Sequence, residues 1–272
     1  MCGITGIVRN DRRDVDEALL ARMCASIRHR GPDDDGFYVK GPVGLGMRRL
    51  AIIDLKSGQQ PIHNQDRTAW IVFNGEIYNH AELREQLLAR GHRYKTHSDT
   101  ETIIHLYEEY GRDCVRHLRG MFAFAIWDKR ARKLFIARDR LGIKPLYYGH
   151  VEGSFVFASE LKTFKTFPGF QAAIDRDSLA AYMRCAYVPA PHSIYEGIHK
   201  LPPSHILTLS SIEASPVLSA YWSAAKVARN GVESRLQGGD EEIIEQLREK
   251  LADAVRLRSL IERWARSHCL KG

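Results

Sequence analysis

An α+β fold of two antiparallel sheets packed together, with helices on their outer faces, is the architecture this sequence predicts. Two observations lead to it. Short apolar, β-branched or aromatic runs follow one another between charged or Gly/Pro turns, most densely over residues 121–158. Strands that arrive as meanders, rather than alternating with helices, favour antiparallel pairing. The helical segments are set apart from them, marked by four-residue apolar spacing and by capping residues at their starts. With 272 residues and 44% apolar content, the chain is long enough to bury a substantial core.

In chain order, Ile4-Thr5-Gly6-Ile7-Val8 reads as a buried strand. Residues 14–27 read as a helix, because Val15, Leu19, Met23 and Ile27 fall on one face. The polar run Arg28-His29-Arg30-Gly31-Pro32-Asp33-Asp34-Asp35-Gly36 reads as a loop that no core would absorb. Runs at 43–55 and 69–78 are strand-like by alternation and β-branched content. Asn79 can cap a helix that carries Leu83, Leu87 and Leu88 and ends at Gly91. Ser98-Asp99-Thr100-Glu101 has the form of a capping box ahead of Ile103, Ile104, Leu106 and Tyr107. Four short strands follow at 121–127, 133–137, 146–148 and 155–158. Beyond about residue 210 the composition turns linker-like, and residues 240–258 form an amphipathic helix with Ile243, Leu247, Leu251 and Val255 every fourth position. The expected organisation is therefore a main domain over 2–210, a linker over 211–239, and the first helix and tail of a second domain over 240–272.

Net charge is +7, but Lys and Arg are interleaved with Asp and Glu and never form a basic run, so a solvated surface is expected rather than a nucleic-acid partner. The first thirty residues hold no apolar h-region. No signal peptide or membrane span is expected, and a cytoplasmic location follows from that reading. Five scattered cysteines and twelve scattered histidines show no metal-ligand spacing, which predicts reduced thiols and no metal site.

Cys2 stands out because removal of Met1 would leave one residue with both a thiol and a free α-amine. An amine titrating near ~8 can take a proton from a thiol near ~8.5. Three polar clusters lie beside strands. In Arg48-Arg49-Leu50-Ala51-Ile52-Ile53-Asp54 an arginine enters an apolar run. Its fork suits a carboxylate, although a snorkelling surface arginine is the plainer reading. In Phe73-Asn74-Gly75-Glu76-Ile77-Tyr78-Asn79 the Asn-Gly pair reads either as a hairpin turn or as an oxyanion hole, where glycine lets a substrate come close. Asp99 follows Ser98 at a helix start and can cap the helix or face a ligand's ammonium. Together these pieces describe a site for an α-amino acid with a reactive side-chain carbonyl, which glutamine fits.

The chain resembles a class II glutamine amidotransferase domain of the N-terminal-nucleophile fold, and within that class the glutaminase half of asparagine synthetase. The similarity rests on Met1-Cys2-Gly3-Ile4, Arg28-His29-Arg30-Gly31-Pro32-Asp33, Arg49-Leu50-Ala51-Ile52-Ile53-Asp54, Phe73-Asn74-Gly75-Glu76-Ile77-Tyr78-Asn79, Ser98-Asp99-Thr100-Glu101 and the run from Ala137 to Tyr148. It implies a four-layer αββα sandwich. It also implies that Cys2 attacks the carboxamide carbon with its α-amine as base, and that the Asn74 side chain and the Gly75 N–H hold the oxyanion. Arg49 would bind the α-carboxylate and Asp99 the α-ammonium, with Glu76 and the Ile53 backbone completing the pocket. Residues 28–33 would close over the substrate. A thioester at Cys2 would then be hydrolysed, giving glutamate and ammonia, with no cofactor required for this half.

The resemblance weakens after residue 258, where the synthetase pattern of a strand and a glycine-rich ATP loop is not found; Gln237-Gly238-Gly239-Asp240 is assigned to an ordinary loop. The expectation is a chain truncated before its synthetase domain, for which alone ATP and Mg would be needed. The partners expected are glutamine and a synthetase domain or subunit, with a homodimer left open. The alternative expectation is a non-catalytic glutamine-binding or assembly module docking on a separate synthetase subunit.

Overall fold

The computed structural model describes residues 1–51, 54, 57–210 and 215–269, with side chains through residue 259. The chain runs through β1 (Gly3–Arg9), α1 (Glu17–Ser26), β2 (Asp34–Lys40), β3 (Val43–Arg49), β4 (Ile62–His63), β5 (Ala69–Ile77), α2 (His80–Ala89), α3 (Asp99–Tyr110) and the short α4 (Cys114–His117). It continues through β6 (Gly120–Asp128), β7 (Lys133–Arg138), β8 (Tyr147–Val151), β9 (Ser154–Ala158), α5 (Arg176–Cys185), β10 (Ile198–Lys200), β11 (His205–Leu209), β12 (Val217–Ala220), α6 (Ala224–Glu233) and α7 (Asp240–Cys269).

The strands form two six-stranded sheets with orders β10-β8-β9-β1-β3-β2 and β12-β11-β7-β6-β5-β4. Their pairings are antiparallel. Side-chain alternation divides each strand between two cores. Ile4 and Val8 of β1, Leu45 and Met47 of β3, Val72 of β5 and Leu134 and Ile136 of β7 meet in the layer between the sheets. Phe73, Ile77, Phe122 and Phe124 point the other way, against α2 and α3, while Ile7 and Val156 pack beneath α1. Helices thus cover both outer faces and give the expected four-layer αββα arrangement.

Helix α1 begins at Glu17 rather than at residue 14, because Asp16 caps it with a 2.9 Å bond from the Ala18 N–H. Val15, just outside the cap, is buried with Leu20 in the same cluster and pins the helix entry as a hydrophobic staple. Residues 34–40, read from sequence as loop or left unassigned, form edge strand β2 against β3 in register Phe37↔Gly46. The polar start of the segment hides the strand, because only one side of it is paired. Ser98 caps α3 through the Thr100 N–H, but Glu101 turns to the Lys95 and Thr96 amides instead of closing the box. Asn79 makes no side-chain cap bond and ties instead to the His117 carbonyl and the Arg119 N–H.

The segment assigned to a linker contains structure. Val217–Ala220 pairs with β11 and extends the second sheet, since β11 would otherwise leave its outer edge open. After it come α6 and the long α7. Residues 211–214 lie outside the described residues. Among the described residues, no helix is long and apolar enough to cross a membrane.

Candidate active site

Three strands carry polar side chains past the end of the layer between the sheets. On β1 the inward positions run Val8, Ile4 and then Cys2; on β3 they run Leu45, Met47 and Arg49; on β5 they run Val72, Asn74 and Glu76. Period-two alternation therefore makes the site a continuation of the core with polar residues. Register does the rest: Gly3 pairs with Arg48, so the same register carried one step out sets Cys2 opposite Arg49, with Leu50 the next residue beyond. The Leu50 N–H reaches Cys2 Sγ at 3.4 Å, and the thiol lies 3.6 Å from the Leu50 carbonyl.

Cys2, Arg49, Leu50, Asn74 and Glu76 line one cavity of about 250 Å³, together with Gly75, Asp99, Gln60, Ser98, Thr100 and Lys144. The volume lies below that of drug-sized sites and suits a small metabolite. Six of the seven residues expected from sequence, Cys2, Arg49, Asn74, Gly75, Glu76 and Asp99, are brought together here. Ile53 lies outside the described residues.

Asn74 is 1% exposed, and neither its Oδ1 nor its Nδ2 has a hydrogen-bond partner among the described residues. A buried amide left so costs about 1–3 kcal/mol, a penalty that a bound ligand would relieve. The Asn-Gly pair is no hairpin turn, since it lies inside β5 with Asn74 opposite Ala123. Gly75 has a packing reason to be glycine: a Cβ there would stand 2.2 Å from the Met121 carbonyl on β6.

Arg49 is 5% exposed, which rules out the snorkelling reading, and its Nη2 donates to the Asp54 carbonyl at 2.5 Å. Gly58 leaves room for it, because a Cβ there would sit 2.6 Å from Nη2. Asp99 is equally buried and accepts from the Ile77 N–H at 3.0 Å. Burial, reinforced by the charge of Glu76, pushes its carboxyl up to about 7. Burial also raises the Cys2 thiol above its ordinary value, against the opposing pull of the Leu50 N–H. The terminal amine of Met1 is shifted down by burial.

Several supporting residues gave no role from sequence. Arg30 donates from Nε to the Cys2 carbonyl at 3.0 Å and from Nη1 to Glu160 at 3.0 Å, fixing the backbone of Cys2. The Ile4 N–H bonds Ser159 Oγ at 3.0 Å. Asp33 bonds the Ala51 N–H at 2.9 Å. None of residues 28–33 lines the cavity; Arg30 and Asp33 hold segments that do. Gln60 bridges the Phe73 N–H at 2.7 Å and the Thr100 hydroxyl at 3.3 Å. Asp139 collects the N–H groups of Phe122, Leu141, Ile143 and Lys144, and so aims Lys144 at the site. Apart from the local bonds of Asp139 to Leu141, Ile143 and Lys144, these contacts span 13 to 155 residues of sequence, beyond any local motif.

The sequence pattern of a family described as a glutamine amidotransferase domain matches residues 1–222. The chain is 37% identical over 258 residues to asparagine synthetase [glutamine-hydrolyzing] 1 of Bacillus subtilis, which covers 94% of this chain and 39% of that protein. It is 42% identical over 227 residues to asparagine synthetase [glutamine-hydrolyzing] 3 of the same organism, covering 82% of this chain and 37% of that one. The chain thus spans less than two fifths of the length of either relative. Among solved structures, the glutamine phosphoribosylpyrophosphate amidotransferase of B. subtilis superposes with a TM-score of 0.61 at 20% identity, over 81% of this chain and 49% of that one. That likeness establishes a shared fold.

Proposed function

Because the chain belongs to the glutamine amidotransferase domain family, we propose that it hydrolyses the side-chain amide of glutamine through a thioester at Cys2, supplying ammonia to an asparagine synthetase-type reaction. The observation that carries the reading is the buried, unpartnered amide of Asn74 in the same cavity as the Cys2 thiol.

The reading requires loss of Met1. As the chain stands, burial keeps the thiol protonated at neutral pH, and the nearest nitrogen of Cys2 is an amide. Removal of Met1 converts that nitrogen into an amine beside the thiol, and the burial that lowers the Met1 amine would keep the new one partly unprotonated. The amine takes the thiol proton, sulfur bonds to the carboxamide carbon, and the carbonyl oxygen becomes an oxyanion facing the Asn74 amide and the Gly75 N–H. One such donor contributes about 3–4 kcal/mol. Collapse expels the amide nitrogen, which leaves as ammonia with the proton from the amine. Water then adds to the thioester, its hydroxyl completing glutamate and its remaining proton returning to sulfur. Arg49 pairs with the α-carboxylate and Asp99 with the α-ammonium, and Glu76 borders the same end of the cavity.

A second reading, a module that binds glutamine and assembles without turning it over, is favoured by the exposed apolar face of α7, where Leu247, Leu251 and Val255 are 57%, 58% and 62% exposed. One pair of measurements separates the two. Intact mass of the purified protein should be one methionine lighter than the encoded chain, and that protein should release ammonia from glutamine. Cys2→Ala should abolish release and leave glutamine binding in place. Ammonia release at full rate by Cys2→Ala removes the thioester mechanism; binding without release in the parent leaves the assembly reading.

A further inference from the structure

Outside the cavity, three ligand-type atoms converge where the segment after α2 crosses α3. His92 Nδ1 lies 3.2 Å from His105 Nδ1, His105 Nδ1 lies 2.8 Å from Glu108 Oε2, and His92 Nδ1 lies 3.7 Å from the same oxygen. A triangle with these sides has a circumscribed circle of radius about 1.9 Å, so one point near its centre stands about 2.0 Å from all three, as in zinc sites with nitrogen and oxygen ligands. The surroundings match that use. His92 Nε2 faces Glu109 Oε1 at 2.8 Å, and His105 Nε2 faces Glu101 Oε1 at 3.7 Å. The Glu109 carboxylate on His92 Nε2 sets the tautomer that leaves His92 Nδ1 as the lone-pair nitrogen, His105 Nε2 is buried without a hydrogen-bond partner among the described residues, and the Asn64 amide holds the other Glu108 oxygen at 2.9 Å. The two Nδ1 atoms face one another at 3.2 Å, an arrangement that needs a proton or a cation between them.

We propose that His92, His105 and Glu108 bind a zinc-type divalent cation, with water in the fourth position. His105 is 1% exposed, while the side chains of His92 and Glu108 are 15% and 30% exposed, so the ion has a route in and an open side for the water. Mixed nitrogen and carboxylate donors select Zn²⁺ and its neighbours over Mg²⁺ or Ca²⁺. Scattered spacing concealed the group in sequence: His105 and Glu108 share a helix face, but His92 lies thirteen residues upstream and is delivered by the turn after α2. The ion would cross-link that turn to α3, whose first residue is Asp99 of the cavity.

Calorimetric titration of the chelator-stripped full chain with Zn²⁺ tests this, with Co²⁺ as a coordination probe. The expected result is one saturable equivalent, a zinc-dependent rise in Tm, and the visible bands of a four-coordinate cobalt ion. His92→Gln and Glu108→Gln should each weaken binding more than tenfold, while their metal-free Tm stays within about 2 °C of the metal-free parent. Cys2→Ala should retain the site. No saturable binding, equal affinity in His92→Gln, or loss of the ion in Cys2→Ala would each overturn the assignment.

Discussion

The cavity and the last helix break opposite rules. The cavity buries the Asn74 amide without a partner among the described residues and holds the Asp99 carboxyl where its charged form is disfavoured. On α7 the exception is the reverse: Ile244, Leu247, Leu251 and Val255 are apolar and more than half exposed, while Lys250, Asp253 and Arg258 line the inward side next to Tyr78 and Trp222. Arg258 lies 5.0 Å from the Tyr78 ring centroid. Each departure costs stability locally, yet the two differ in kind. The polar groups of the cavity are held by strands with a shared core beneath them, so they keep their geometry while waiting for a ligand. Among the described residues, the helix has no such frame on its apolar side.

The largest effect that would sharpen this contrast is at Asn74. Asn74→Ala should lower kcat for glutamine hydrolysis by about 10²–10³, as loss of one oxyanion donor does, with little change in KM. Its Tm should not fall below the parent's, because two orphaned polar atoms leave with the side chain. A drop in Tm comparable to a core truncation would mean that Asn74 holds the sheet together, and the cavity would lose its preorganised character. Asp99→Asn comes next. Loss of a charged partner for the substrate ammonium should raise KM about 10- to 100-fold, with a smaller change in kcat.

The pH dependence of KM follows from the same residue. Asp99 is pushed up to about 7 in the free protein, and a bound ammonium would bring it down. Binding therefore releases a proton and weakens as pH falls through about 7, by up to tenfold in KM per unit. The linkage in stability has the opposite sign: a carboxyl raised on folding stabilises the fold below its unfolded value and loses that contribution as pH rises through about 7. Asp99→Asn should flatten the acid side of the KM profile. A parent profile that is flat from pH 8 to 5 would remove Asp99 from the ammonium site.

Much of this was legible in the sequence, and the limits have physical causes. Strands β1, β5, β6, β7 and β9 could be read because both faces are covered, so burial shows as dense apolar text. Strand β2 could not, because only one of its sides is paired and its first residues face solvent. For α1 the stripe Val15, Leu19, Met23 and Ile27 gave the correct buried set, but the two end members flank the helix. Cys2, Arg49, Asn74 and Asp99 stood out because polar residues beside apolar strands are anomalous one by one, whereas Glu76 was implied only by the family resemblance. Arg30, Gln60 and Asp139 look like surface polar residues until the fold places a backbone amide or carbonyl beside each.

The smallest expected effect lies on α7. Replacing Leu247 and Leu251 together by glutamine removes apolar area that is already wet, so Tm should move by no more than about 2 °C. Ile4→Ala, fully buried beside the cavity, should cost about 2–5 kcal/mol. That gap holds only if the apolar face meets water in solution. Should the double variant instead lose as much as the core truncation, and should the parent's Tm climb with protein concentration, the face is buried between copies of the chain. The helix would then obey the same rule as the core, and only the cavity would remain as an exception.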